Sequence, residues 1–185
     1  MMELKGIRAA VCCGVVAMGL SPAFAIAQAG ADTASQDKMF VAKSAEGSMA
    51  EIEMSKLALQ KSKNSEIKTF AQKMVDDHTM LISNMKPFAD QMGVPPPTKL
   101  KKEHMDEMAR LRAMSGDKFD KEYITAMVGD HHKDLGEFKA EADTTSNAEL
   151  KTTVQSGMEV VKMHTDMIDQ IAQKNGITTP PMTSM

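Results

Sequence analysis

An all-α chain, folded as a four-helix bundle with one long crossover that contains a short extra helix, is predicted by three observations. The composition is rich in Ala, Met, Glu and Lys, with no Trp and a single Tyr, which favours helix over sheet. Four long segments repeat apolar residues every three or four positions, and no segment alternates with the period of two that a half-buried strand needs. A proline-rich break, "GVPPPT" at 93–98, separates the second of those segments from the third.

The first 27 residues read as a secretory signal peptide. Lys5 and Arg8 precede the apolar run "AAVCCGVVAMGL", and "SPAFAIAQA" offers small-residue cleavage sites after Ala25 or Ala27. Cleavage would remove both cysteines, Cys12 and Cys13, so the mature fold is expected to hold neither a disulfide nor a thiolate metal site. It would also leave no transmembrane span. Loss of Glu3, Lys5 and Arg8 takes the formal charge from −3 to −4. With no long basic run in the remainder, nucleic acid is excluded as an expected partner.

A flexible linker is expected over 28–35, a single helical domain over 36–177 and a disordered tail over 178–185. The first helix should run from Gln36 to Lys61, with Phe40, Gly47, Ala50, Glu51, Met54 and Ala58 along one face. Asn64 or Ser65 can cap the second, whose stripe of Ile67, Phe70, Ala71, Met74, His78, Leu81 and Met85 continues to Met92. The three prolines remove backbone donors and hold the preceding residues extended, so a crossover follows. It carries a short charged helix from Leu100 to Met114, in which His104 reads as a solvated residue.

The segment "SGDKFD" starts the next long helix, with Phe119, Tyr123, Met127, His131, Leu135 and Phe138 on its stripe. Ser146 and Glu149 have capping-box spacing for the last helix. Its stripe is Leu150, Val154, Gly157, Val161, His164, Ile168 and Ile171, ending near Asn175-Gly176.

Three of these faces each carry one histidine, His78, His131 and His164, and the first helix contributes Glu51. Bundles build metal sites from side chains that project inward from facing helices. Three imidazoles and a carboxylate suit Fe, Zn, Mn or Cu(II). His104 and His132 fall on outward faces. Asp77 and Asp130 lie about 100° around their helices from the adjacent histidines, placed either to orient them or to face water. Asp134 shares the side of His131 and is the better auxiliary group.

A ferritin-type di-iron centre is disfavoured, because it needs Glu three residues before a ligating His on each of two helices; Val75, Val128 and Val161 stand there instead. Two other readings of the same residues stay open. Neutral histidines can hydrogen-bond with Glu51, Tyr123 and one another as a metal-free polar layer, in a non-enzymatic envelope protein that binds a protein partner or itself. Alternatively, Met54, Met74 and Met127, one turn from the candidate ligands, would assist copper binding. The abundance of methionine, 19 residues, fits core packing as well as soft-metal binding or oxidant scavenging. No nucleophile triad, phosphate-binding glycine loop or basic groove is present, so no catalytic residue is assigned and an enzyme is not the expected class.

The stretches "GSMAEIEMSKLAL", "IKTFAQKMVDDHTMLISNM" and "SGDKFDKEYITAMVGDHH" closely resemble the bacterial secreted family catalogued as domain of unknown function 4142, in the ferritin-like superfamily. The resemblance covers Phe40 to Ile177. It implies a ferritin-like bundle exported to the periplasm or outer envelope, and implies no established activity; the inward histidines are what suggest metal handling or envelope stress. It marks Glu51, His78, His131 and His164 as family-pattern positions. Met158-Glu159 depart from the Leu-Pro that members often carry before the last histidine.

Overall fold

The structure, a computed structural model, describes residues 22–181, with side chains from residue 33 onward. It contains α1 (Pro22–Lys61), α2 (Ser65–Met92), α3 (Lys102–Ala113), α4 (Asp117–Thr144) and α5 (Ala148–Lys174), and no strand among the described residues. Helices α1 and α2 form one antiparallel hairpin and α4 and α5 another; α1 packs on α4 and α2 on α5, which closes the ring of four. Lys174 pairs with Glu66 at one end and Lys43 with Glu137 towards the other. The long helices therefore run up, down, down and up, and the segment between α2 and α4 must return along the whole bundle. That is the single-crossover connectivity of ferritin-like folds.

Local chemistry explains most boundaries. Asn64 caps α2, its side chain accepting from the Glu66 and Ile67 amides, and Gly93 ends it at φ 63°, a left-handed geometry that glycine adopts without strain. The amides of Glu149 and Leu150 donate to Asn147, so Asn147, and not the expected Ser146, caps α5. The amide oxygen reaches both orphan N–H groups from that position.

The expected linker is also corrected. Helix α1 begins at Pro22 and includes residues 28–35: the Ala-rich stretch has high helix propensity, interrupted by one glycine, and Pro suits a first helical position. Residues 1–21 of the expected signal peptide and 182–185 of the expected tail lie outside the described residues. No described helix is long and apolar enough to cross a membrane.

The core is two apolar clusters with a polar layer between them. Towards the α1–α2 turn, Met54, Phe70, Met74, Phe119, Tyr123, Met127 and Ile168 pack together; at the opposite end Phe40, Leu81, Phe138, Leu150 and Val161 do so. His78 lies between Met74 and Leu81 on α2, His131 between Met127 and Leu135 on α4, and His164 between Val161 and Ile168 on α5. The histidines thus replace the apolar layer that would have joined the clusters.

The short helix is not the free-standing charged segment its composition predicts. His104, Met108 and Leu111 are buried against the bundle, and Glu46 of α1 accepts from the Lys101 amide at 2.7 Å and faces His104 Nδ1 at 2.9 Å. His104 is corrected from solvated to buried: the spacing 104, 108, 111 is itself a helical stripe, masked by the charges around it. At the other end Lys61 Nζ donates to the Leu111 and Arg112 carbonyls, closing the C-terminus of α3.

Candidate metal centre

Glu51, His78, His131 and His164 are all at most 2% exposed. A regular helix brings every fourth side chain to one face, so each histidine continues the apolar stripe of its helix into the centre of the bundle. One ring nitrogen of each of the three histidines lies within 4.8 Å of the corresponding atoms of the other two. Their ring centroids are 5.3–5.8 Å apart, and the Phe70 ring meets His131 and His164 edge-on, sealing the layer from the apolar side.

One nitrogen of each ring has a partner. His164 Nε2 donates to Asp77 Oδ2 at 2.8 Å, and Lys73 Nζ holds the same carboxylate at 3.0 Å. His131 Nδ1 donates to the Met127 carbonyl, one turn back on its own helix, at 2.8 Å. His78 Nδ1 faces Ser48 Oγ at 3.2 Å and Glu51 Oε2 at 3.0 Å. What remains is His78 Nε2, His131 Nε2 and His164 Nδ1, all buried and all without a hydrogen bond. Because a carbonyl and an ionised carboxylate only accept, His131 and His164 carry their protons on the outer nitrogens, and their inner nitrogens are bare lone pairs.

Electrostatics hold the rings neutral. Burial pushes His131 down to about 3, helped by His164 and opposed by the Met127 carbonyl. Burial also lowers His78 well below its ordinary value, with His131 and His164 adding to the shift. For His164 burial again outweighs the pull of Asp77. Burial works against ionisation of Asp77 itself, yet the His164 N–H and the Lys73 ammonium hold its carboxyl below the usual value.

Glu51 lies beside two of the rings, Oε2 at 3.0 Å from His78 Nδ1 and Oε1 at 3.5 Å from His131 Nδ1. Burial raises its carboxyl well above the ordinary value, reinforced by Asp134, Asp130 and Glu107. Asp130, pushed up to about 7 by burial and then by Glu107 and Asp134, and Asp134, raised to about 6 by burial and Glu137, stand outside it towards the surface. Between the two aspartates next to histidines, Asp77 contacts a ring of the cluster, one belonging to another helix, and Asp130 lines a surface cleft.

His132, expected outward, is only partly so: its Nε2 lies 3.0–3.1 Å from both oxygens of Asp169 on α5. Met54, Met74 and Met127 are wholly buried within the apolar cluster below the histidines. Ser48 and Lys73 were not singled out in the sequence. Their signal was the helical offset, three residues before Glu51 and four before Asp77 respectively.

A family model described as "Domain of unknown function (DUF4142)" matches residues 22–171. No curated protein matches the chain in sequence. Among solved structures, a DUF305 fragment from Deinococcus radiodurans is similar at 13% identity and TM-score 0.66, over 75% of this chain and 96% of its own. A DUF305 protein from Streptomyces coelicolor, described as secreted, is similar at 13% identity and TM-score 0.67, over 78% and 96%. CopM in a silver-bound form is similar at 20% identity and TM-score 0.62, over 75% and 96%. These likenesses establish the shared helical fold.

Proposed function

The chain belongs to the DUF4142 family, and we propose that it is an exported metal-handling protein of the periplasm that binds one transition-metal ion through His78, His131 and His164. The observation that carries this reading is the convergence of three buried imidazoles, each of which keeps one ring nitrogen without a hydrogen bond. Three lone pairs meeting in an apolar interior repel one another and cost desolvation free energy; a cation turns the same arrangement into three bonds. Neutral imidazole is the form that ligates, and the site keeps its rings neutral.

Asp77, the Met127 carbonyl and Glu51 take the role of outer partners, which fix ring orientation and tautomer around a metal. Glu51, beside His78 and His131, assists the three imidazoles. Ser48 Oγ, 3.2 Å from His78 Nδ1, accepts its N–H in the tautomer that leaves Nε2 bare, completing the set.

Imidazole donors suit Zn, Cu, Fe or Mn. A silver-bound neighbour of the same fold supports a soft ion, and with it the variant reading in which Met54, Met74 or Met127 assists copper.

Elemental analysis of the mature protein, purified without chelator or histidine tag beside the His78→Ala/His131→Ala/His164→Ala variant, tests the reading. Near-stoichiometric metal in the native protein, lost from a variant that remains helical, is the expected result. A native protein that is metal-free and takes up none on reconstitution would replace it with the metal-free polar layer.

A further inference from the structure

A narrow cleft between α1, α3 and α4, with a cavity of ≈ 20 Å³, reaches from the surface lysines Lys43, Lys101 and Lys133 inward to Glu51. That volume accommodates about one water-sized species. Acidic side chains dominate its lining, six against the three lysines, and two of those lysines are engaged, Lys43 with Glu137 and Lys101 with Glu46.

Two of the lining carboxylates are more than nine-tenths buried, Glu46 at 6% and Glu51 at 2% exposure. Both keep oxygens without a hydrogen bond: Oε2 of Glu46, which Lys101 Nζ approaches only to 3.4 Å, and both oxygens of Glu51, which face the imidazoles out of hydrogen-bond alignment. Asp130 Oδ2 is likewise buried and unpartnered. A buried carboxylate oxygen left without a donor is costly, and either a proton or a visiting cation relieves that cost. The cleft therefore has the lining a partly dehydrated cation needs on its way from water to imidazole.

We propose that this cleft is the passage by which a divalent cation reaches and leaves the three-histidine centre, with Glu46, Asp130 and Asp134 as oxygen contacts along it and Glu51 at its inner end. The proposal rests on the reading of His78, His131 and His164 as a metal centre. Gly47 keeps the passage open. A Cβ built there meets only Asp134 Oδ2, at 3.9 Å, an ordinary contact. A Cβ at 47 would thus enter the cleft without a clash, and a larger side chain there would fill more of it.

Stopped-flow uptake of Co(II) alone by the full mature chain, followed through its ligand-field absorption, separates passage from ligation. Chelator capture of the bound ion gives the release rate. Asp134→Asn and Gly47→Leu are each expected to slow both uptake and release about tenfold or more, with one Co(II) per chain and an unchanged spectrum. Asp76→Asn, on the outer face of α2, should leave both rates as they are.

A passage slows both directions together, whereas a lost ligand speeds release and alters the spectrum; the latter result would overturn the proposal. So would uptake within about twofold of the native rate in both variants. Failure of the native protein to bind Co(II) at all would instead overturn the metal centre, and the passage with it.

Discussion

His164 Nε2 donates to Asp77 Oδ2 across the α5–α2 interface at 2.8 Å, between residues 87 positions apart in the chain. This bond leaves His164 with its proton on the outer nitrogen and its Nδ1 lone pair towards His78 and His131. Replacing Asp77 by Asn keeps the size of the side chain but lets its amide donate to Nε2, which favours the opposite tautomer. Metal affinity should fall about 10–100-fold while the fold persists. Competition against a chromophoric chelator checks this; unchanged affinity would show that Asp77 does not orient the ring.

The metal-free protein should lose stability as pH falls below about 6.5. His78, His131 and His164 have folded-state values below their unfolded value, so over that window the unfolded chain binds more protons and unfolding becomes easier. The effect continues down towards about 3 for His131. Urea unfolding of metal-free protein at pH 7 and pH 5 reads the difference, and bound metal should reduce the fraction unfolded at each pH. A profile in which His131→Ala changes nothing would mean that the ring is not held neutral.

Glu141 supplies the opposite trend at the far end of the bundle. Burial, then Asp37, raises its carboxyl to about 7, while Thr145 donates to Asp37 at 3.1 Å. Here the folded state binds the extra proton, so the contribution is complete below about 4.5 and is lost as pH rises through 7. Glu141→Gln should flatten the slope of stability between pH 5 and 8, as measured by thermal denaturation in buffers of matched ionic strength. An unaltered slope would remove the shared-proton account.

Gly157 marks a close approach between α5 and its neighbours. A Cβ there would lie 2.6 Å from Phe138 Cε1 and 3.2 Å from Leu81 Cδ2. Gly157→Ala gains about 1 kcal/mol of helix propensity, but the Phe138 ring and Leu81 must move, at about 1–3 kcal/mol for overpacking. A net loss of up to about 2 kcal/mol is expected, lowering the melting temperature. Stabilisation by the substitution would show that Phe138 shifts freely.

The helices were legible in the sequence because the 3.6-residue period acts through local geometry alone. It selected Glu51, His78, His131 and His164 for the interior, and the three-proline break indicated the crossover. The same reasoning failed for His104, where surrounding charges hid a stripe that becomes a buried face once Glu46 is beside it.

Periodicity ranks residues by the face they occupy and carries no information on which atom of a ring points where. That was decided by tertiary packing. The axial level of each helix sets Asp77 against His164, Glu51 beside His78 and His131, and Ser48 against His78, and brings the three imidazoles together. The sequence by itself determined which side chains on the stripes of the four long helices would be enclosed. Only the assembled bundle decided which of them converge, which support the others, and which line a way in, because those relations depend on distances between helices that no local period contains.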